Sequence, residues 1–373
     1  MSRRTTNILK AVLSTLHYTG LDRIAAPLTG GDGVIFMLHH VVPYAPRAFE
    51  PNGLLKVTPE FLEGVITQVR AAGFDIVGLD DVKARLGGGR AAKPFAVFTL
   101  DDGYKDNRDF AYPIFKKHNA PFTIYIPTAY ADGHGELWWL ALEEALRRLP
   151  RAEVSLDGIT RTYSLASDAE KNSAFHDIYW NLRKMPEAEA RAIVRALAAT
   201  AGFDMARQCR DLVMSWDEIR ALASDPLVTI AAHTTNHFAL AKLSAESSRR
   251  EIADSVVRVS KELGKSIRHF SYPYGDEGSA KDREFEIARE LGLETAVTTR
   301  KGLLWSRHAN SMTALPRLSL NGDYQDARYV KVLLSGLPFA LRDGAKSALR
   351  LVRGRSRGVV ADEIRYPASA STR

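Results

Sequence analysis

The sequence has little cysteine and lacks any long apolar run. Cys209 is the only cysteine in 373 residues, which excludes an intrachain disulfide. No stretch approaches the ~18–20 consecutive apolar residues that a membrane-spanning helix needs. An internal repeat and a nucleic-acid-binding motif are also missing, so we expect neither a repeat protein nor a nucleic-acid partner. With 45% hydrophobic residues the chain can still bury a large core, in one domain with an insertion or in two domains.

The N-terminal segment is amphipathic rather than a leader sequence. Arg3 and Arg4 precede an apolar run that Lys10 interrupts, and no small-residue cleavage site follows, so we do not predict a signal peptide. We predict an amphipathic helix instead, with an apolar face made of Ile8, Leu9, Val12, Leu13 and Leu16.

The net charge of +7 is moderate, and the excess lies partly at the two ends. Basic residues recur near the C-terminus at Arg342, Lys346, Arg350, Arg353, Arg355 and Arg357. We expect a cytoplasmic protein. Two interpretations of its basic ends stay open, namely peripheral contact with the anionic inner surface of a membrane, or solvated helices without a partner.

Two adjacent acids follow the apolar run 95–100, which has the pattern of a buried strand. Neighbouring side chains on an extended segment point in different directions, so one of Asp101 and Asp102 can bind a metal while the other handles a proton. Gly103 then lets the chain turn away close to a ligand. An ordinary Asp-Gly turn is the alternative interpretation.

Two further motifs also stand at the ends of apolar runs. His233 and His237 follow residues 227–232 and can converge on one ion if their segment is a helical turn. Imidazole and carboxylate ligands suit zinc or a similar divalent ion, and three protein ligands leave positions open for catalysis. The third motif, Tyr272-Pro273-Tyr274-Gly275, is a turn that can direct a backbone N–H at a substrate oxyanion.

In this order, Asp101-Asp102-Gly103-Tyr104, the His233–His237 motif and Tyr272-Pro273-Tyr274-Gly275 resemble the polysaccharide deacetylases with a NodB-homology domain, carbohydrate esterase family 4. The resemblance covers residues 34–130 and 210–320. It implies an α/β fold, a distorted and incomplete (β/α) barrel. It also implies a hydrolase that removes N-acetyl or O-acetyl groups, with the help of a metal, from a polysaccharide, an oligosaccharide or a lipid-linked sugar.

The resemblance further assigns residue roles. Asp102, His233 and His237 are expected to hold a divalent metal, with zinc the expected ion. Asp101 is expected to act as the general base, and the backbone N–H of Tyr274 to help form the oxyanion hole.

The chain departs from the family at the general acid. The late run 315–320 lacks the Leu-x-His element that supplies the acid in the family. An early apolar run, 34–38, ends in two histidines and resembles the early-strand motif of rearranged family members. We therefore predict His39 as the general acid, because its unperturbed pKa lies near neutral pH, with His40 as the alternative.

The family's usual arginine is also absent before the third motif's Pro-Tyr. Either Tyr272 replaces it, or the arginine is shifted along the chain to Arg268. We predict that Arg317 takes its part by holding Asp101 in a bidentate pair. An ordinary surface arginine is the alternative.

The predicted organisation has five segments. They are an N-terminal amphipathic helix (1–30), a first barrel part (31–130), a mainly helical insertion (131–212), a second barrel part (213–325) and a basic C-terminal tail (326–373). Within the insertion we predict a hairpin over Val154–Leu165 and helices over 167–184 and 186–201. We interpret this insertion as a lid or substrate subdomain.

Aromatic side chains near the motifs are candidates for stacking on sugar rings, although core packing is the more common role of tryptophan. The predicted substrate contacts are Tyr104, Trp138, Trp139, Tyr272 and His40. Two other functions stay open: a metal-dependent amidase for a non-sugar amide, and a non-catalytic glycan-binding relative, which the missing late histidine favours.

Overall fold

The computed structural model describes residues 3–87 and 93–344. In chain order, the strands of this part are β1 (Gly33–Leu38), β2 (His40–Val41), β3 (Lys56–Val57), β4 (Asp75–Ile76), β5 (Phe95–Leu100), β6 (Phe122–Ile126), β7 (Arg151–Leu156), β8 (Ile159–Ser164), β9 (Val228–Ala232), β10 (His269–Ser271), β11 (Thr295–Lys301) and β12 (Leu315–Ser319).

The α-helices of the same residues begin with α1 (Arg3–Tyr18), α2 (Leu21–Thr29), α3 (Pro59–Ala71), α4 (Val82–Gly87), α5 (Tyr112–Lys117) and α6 (Thr128–Ala131). The insertion region contains α7 (Trp138–Arg148), α8 (Asp168–Leu182), α9 (Glu187–Thr200) and α10 (Met205–Leu212). The remaining helices are α11 (Trp216–Leu222), α12 (Ala245–Leu263), α13 (Asp282–Glu290) and α14 (Ala327–Leu334).

Seven parallel strands close into a barrel. Their order is β1, β12, β11, β10, β9, β6 and β5, and β5 pairs back to β1, while β4 lies along the outer side of β5. Phe36 is opposite Leu318 on one neighbour and Phe98 on the other. The predicted (β/α) barrel is confirmed, and seven strands make it incomplete beside the usual eight.

Side chains along each strand point alternately into and out of the barrel, and this alternation decides which of them reach its interior. Val97 of β5 and Leu315 of β12 pack in a buried cluster with Ile35, Tyr125 and Val297 from other strands. Because side chains repeat every second residue along a strand, Asp101 and Arg317 continue these two inward-facing rows. The period of the strands therefore directs both groups to the upper end of the barrel interior.

Between β6 and β9 the chain forms a region with a hydrophobic core of its own. Leu142, Leu146, Ile178 and Val194 are fully buried in that core. The predicted hairpin is confirmed as β7 and β8, which turn at Asp157 and Gly158 with φ of 51° and 76°.

The N-terminal segment forms two helices rather than the single one predicted. Gly20, with φ of 72°, separates α1 from α2, because a left-handed residue cannot continue a helix. Leu13 and Leu16 of α1 pack on Val332 of α14, so part of the predicted tail is ordered. Most of that tail, from 345 onward, lies outside the described residues. Among the helices described, none is long and apolar enough to cross a bilayer.

Candidate active site

A cleft of about 1690 Å³ opens at the carboxyl ends of the barrel strands. The residues of its "cleft floor" are His39, Asp101, Asp102, His233 and His237. Arg317 is paired with Asp101 and is not part of the cleft lining. One side of the cleft, the "insertion wall", is formed by Tyr163, His176, Tyr179, Trp180 and Arg183. The loop 43–55 and residues 321–325 line other sides.

Three side chains on the cleft floor converge as metal ligands would. The Nε2 atoms of His233 and His237 lie 3.7 and 3.3 Å from Oδ1 of Asp102. All three residues are buried, and their candidate ligand atoms lie within 4.8 Å of one another. Oδ1 of Asp102 is buried and accepts no hydrogen bond from the described residues. An unsatisfied buried carboxylate oxygen facing two imidazoles fits a divalent cation between them.

The protonation of His233 also fits a ligand. Its Nδ1 lies 2.6 Å from the backbone oxygen of Ser271, which assigns the proton to Nδ1 and leaves the Nε2 lone pair facing Asp102. Burial lowers the pKa of His233 to about 4, so the imidazole is neutral at pH 7, as metal binding requires.

The two histidines converge through a loop and not through the helical turn that the sequence analysis considered. Thr234 and His237 both adopt left-handed backbone conformations, with φ of 65° and 57°. The Thr234 hydroxyl accepts the His237 N–H at 2.9 Å. Glu251 of α12 accepts the backbone N–H groups of Thr235 and Asn236 at 3.0 and 2.9 Å. These hydrogen bonds provide acceptors for backbone N–H groups that would bond within the helix if the segment were helical. They also hold both imidazole rings inward.

A strained turn positions Asp102. Its φ is 74°, a conformation that costs a non-glycine residue about 1–3 kcal/mol and that clusters at functional sites. Gly103 follows with φ of 70°, and a Cβ there would lie 2.6 Å from Cδ1 of Ile126. The turn carries Asp102 away from the inward-facing row and toward the histidines.

Asp101 is held on both oxygens by Arg317. The guanidinium Nη1 lies 2.8 Å from Oδ1 and Nη2 lies 2.7 Å from Oδ2, and the arginine side chain is fully buried. The other N–H groups of Arg317 donate to Thr99, Ser271 and Thr298. All five guanidinium donors are therefore used, and the surface interpretation of Arg317 is wrong.

The two carboxylates remain ionised despite their burial. Burial alone would raise the pKa of Asp101, but the Arg317 ion pair and its hydrogen bonds bring it below its usual value. For Asp102 the effect of burial is likewise exceeded by the neighbouring imidazoles, that of His237 first, so its pKa is also lowered. Both groups are charged at neutral pH.

The two early histidines have different environments. His39 is one-fifth exposed in the cleft, and its Nε2 lies 4.0 Å from Oδ2 of Asp101. Burial lowers the pKa of His39, although the nearby Asp101 and Asp102 oppose this effect. His40 is buried, its Nδ1 lies 2.6 Å from Oδ2 of Asp106, and its ring stacks on Tyr104. Only His39 lines the cleft, so His40 is neither a substrate contact nor the alternative acid.

The third motif forms a tight turn beside His237. Tyr274 has φ of 60°, and its carbonyl accepts the Thr299 hydroxyl at 2.5 Å. A Cβ on Gly275 would lie 2.5 Å from the Thr299 backbone nitrogen, so the turn requires glycine there. The Tyr274 N–H donates to none of the described residues, and its ring centroid lies 4.9 Å from that of His237.

Three of the predicted aromatic contacts are core residues instead. Tyr104 and Tyr272 are fully buried, and the Tyr272 hydroxyl donates to the Thr313 carbonyl at 2.8 Å. Trp138 is 4% exposed and its Nε1 donates to the Tyr274 hydroxyl at 2.6 Å. Large aromatic rings fill the interface between barrel and insertion, which is the role that competes with sugar binding. Trp139 does line the cleft, 5.0 Å from the His237 ring.

The sequence interpretation missed Trp180, a large aromatic side chain that both lines the cleft and faces solvent. It is 44% exposed on α8, whereas Phe175, Ile178 and Leu182 of that helix are buried. One turn further along, the Arg183 guanidinium lies 3.7 Å from the centroid of the Tyr274 ring. The sequence did contain one indication of this role, because Trp180 lies outside the apolar stripe of the predicted helix 167–184.

Sequence comparison decides the family. A family model described as polysaccharide deacetylase matches residues 88–296, more than half of the chain. The chain belongs to the polysaccharide deacetylase family. A comparison with curated proteins gives no match.

Solved structures resemble the fold. The Streptococcus pyogenes deacetylase PplD, determined with acetate, has a TM-score of 0.51 and 18% identity over 78% of this chain and 92% of its own. IcaB from Ammonifex degensii gives 0.50 and 16%, covering 82% and 97%. A de-N-acetylase from Aggregatibacter actinomycetemcomitans gives 0.51 and 14%, covering 80% and 99%. At these identities the similarity shows that polysaccharide deacetylases and this chain share a fold.

Proposed function

We propose that the protein hydrolyses the acetyl group of an N-acetylated or O-acetylated carbohydrate with a divalent metal held by Asp102, His233 and His237. The observation that carries this proposal is the buried trio, in which Oδ1 of Asp102 has no donor. Nitrogen and carboxylate ligands favour zinc. The chemistry that such an ion supplies is polarisation of a carbonyl and a lowered pKa for water.

Asp101 acts as the base on this proposal. Its carboxylate is charged at neutral pH and its position is fixed by two hydrogen bonds from Arg317. It accepts a proton from the attacking water as the water oxygen forms a bond to the acetyl carbon. Arg317 is a positioning residue, because its donors hold Asp101 and no atom of it lines the cleft.

His39 acts as the acid. It lines the cleft with its Nε2 4.0 Å from Oδ2 of Asp101, and its 20% exposure leaves the ring accessible to a substrate. It gives its proton to the sugar nitrogen or oxygen as the bond to the acetyl carbon breaks. Acetate and a free amino or hydroxyl group are the products. This position supports catalysis over the non-catalytic alternative, since an early histidine stands beside the base.

The Tyr274 backbone N–H supports the oxyanion. The carbonyl of Tyr274 itself accepts a hydrogen bond from the Thr299 hydroxyl, which fixes the turn. The N–H of Tyr274 has no partner among the described residues. A preorganised donor of this kind stabilises negative charge that develops on the carbonyl oxygen in the transition state.

The insertion wall points to a substrate larger than one sugar. Trp180 and Tyr179 present aromatic side chains to a cleft of about 1690 Å³. Arg183 also lines it, stacked on Tyr274 and donating through Nη2 to Asp276 and Ser279. Flat aromatic faces suit the apolar faces of sugar rings, and neighbouring donors suit their hydroxyls.

The test is acetate release from N-acetylated and O-acetylated oligosaccharides of increasing length, with zinc supplied. We expect release that grows with chain length. Release from simple non-sugar amides alone would favour the amidase alternative. Binding of the oligosaccharide without any acetate release, at full zinc loading, would favour a glycan-binding protein and contradict the proposal.

A further inference from the structure

The helices α1 and α2 expose apolar side chains that the fold does not use. The inward side of α1 packs on α14 through Leu13 and Leu16. Ile8, Leu9 and Val12, which belong to the same apolar arc of the helix, remain 55%, 36% and 46% exposed. Exposed apolar side chains grouped on one helix face mark an interaction surface more often than a chance arrangement.

The second helix repeats this arrangement. Leu21 and Ile24, three residues apart, are 47% and 75% exposed on α2. The acidic residue of this helix, Asp22, is turned inward and is 1% exposed, with its carboxylate 3.8 Å from His17. The outward side of α2 is therefore apolar with Arg23 as its exposed charge.

The charge around this surface is mainly positive. Helix α1 contains no acidic residue, and Arg4 is exposed on it. The Thr29 hydroxyl, at the end of α2, donates to the Ser335 carbonyl at 2.6 Å, so the last described helical stretch, 337–344, begins beside α2. The 29 residues that follow carry seven basic residues and two acidic ones. Apolar side chains with surrounding cations match the chemistry of an anionic lipid surface.

We propose that α1 and α2 dock on an anionic bilayer, with the five exposed apolar side chains at the boundary of the lipid headgroups and acyl chains. The "docking face" consists of Ile8, Leu9, Val12, Leu21 and Ile24, with Arg4 and Arg23 at the headgroups. A second copy fits this face less well, because a two-fold contact would bring the same cations together. Residues 345–373 fit less well for the same reason, since they are basic themselves.

The docking face adjoins the cleft. Thr6, Asn7 and Lys10 of α1 line the cleft, while Ile8 and Leu9 of the same helix face outward. Helix α1 therefore borders the cleft with one side and carries docking-face residues on another. The inference stands apart from the proposed hydrolysis, since lipid binding and acetate release are measured separately.

The experiment is co-sedimentation of the full-length protein with vesicles of phosphatidylcholine, with or without phosphatidylglycerol. Ile24→Glu is the variant, and Val257→Glu is the matched control, because Val257 is 66% exposed on α12 outside the docking face. We expect wild type and Val257→Glu to bind the anionic vesicles equally and binding to fall as salt rises. Ile24→Glu should bind at least about tenfold more weakly, as expected when an inserted side chain becomes charged.

Three outcomes would overturn the proposal. Wild type that stays in the supernatant with both vesicles would favour residues 345–373 as the cover of this face. Equal losses in Ile24→Glu and Val257→Glu would show that the docking face has no special role. If light scattering without lipid shows a dimeric wild type and a monomeric Ile24→Glu variant, the docking face would be assigned to a second copy.

Discussion

The cleft floor and the insertion wall differ in where their side chains come from and how they are satisfied. Asp101, Asp102 and His233 stand at the ends of barrel strands and are almost fully buried. Trp180 and His176 stand on a helix of the insertion and are exposed to solvent. The floor depends on a shared sheet with fixed register, whereas the wall depends on how a separate hydrophobic core sits beside it.

The floor itself contains two contrasting carboxylates. Both oxygens of Asp101 accept donors from Arg317, whereas Oδ1 of Asp102 has no donor among the described residues. An arginine fork satisfies the first, and a divalent cation would satisfy the second. Floor variants should therefore lower acetate release from short and long sugar substrates alike, while wall variants should change only how a long substrate is held.

The largest expected effect is on the metal. His237→Ala should lose bound zinc, measured by elemental analysis of the purified protein, and its acetate release should fall to background. His118→Ala is the control, a histidine outside the cleft that lies 2.9 Å from Glu63. Full zinc retention in His237→Ala would remove this residue from the ligand set.

Asp101→Asn should keep zinc and reduce turnover by about 10²–10⁴-fold, because it removes the base without removing a ligand. The variant also leaves the buried Arg317 charge without a partner, so its folding must be checked by circular dichroism at the assay temperature. Near-wild-type turnover in a folded protein would mean that the roles within the carboxylate pair are assigned wrongly.

His39→Ala should reduce acetate release from an N-acetylated sugar by about 10²–10⁴-fold with unchanged zinc content. An aryl acetate has a leaving group that needs no proton, so its hydrolysis should fall much less. The ratio of the two losses is the measurement. Equal losses on both substrates, or no loss on either, would exclude His39 as the acid.

Arg317→Lys should lower kcat by about 10–100-fold, because an ammonium keeps the charge but cannot hold both oxygens of Asp101. The effect should be the same for short and long oligosaccharides, as expected of the floor. A loss confined to long substrates would place Arg317 with the wall and would break the comparison.

The smallest expected effect is on the wall. Trp180→Ala should raise KM for long oligosaccharides by about tenfold or less and leave an aryl acetate unaffected, since one stacked ring contributes about 0.5–1.5 kcal/mol beyond its buried area. Phe110→Ala is the matched control, because Phe110 is 39% exposed outside the cleft. Equal effects of both substitutions would remove Trp180 from the binding surface.

The barrel and much of its floor were predictable because they follow from the two-residue alternation of side chains along each strand. Alternation along β5 and β12 directs Asp101 and Arg317 inward, and parallel strands bring their carboxyl ends to one edge. The loop that joins His233 to His237 was not predictable in this way. Its left-handed residues are not glycines, and the conformation depends on Glu251, which comes from a helix later in the chain.

The wall could be predicted only as helices. Which aromatic ring faces the cleft depends on how α8 rotates on the core of the insertion, and local sequence does not determine that rotation. Trp138 was therefore assigned to the substrate although it packs between barrel and insertion, and Trp180 was overlooked. The cytoplasmic location and the segment boundaries stay predictions.

The central claim is that Asp102, His233 and His237 hold one ion on which deacetylation depends. The most direct measurement is a zinc titration of chelator-treated protein, with bound metal and acetate release from an N-acetylated oligosaccharide followed in the same samples. We expect no release at the start, a rise in proportion to bound zinc, and saturation at one ion per chain. Full release from metal-free protein, or zinc bound at one per chain without any release, would contradict it.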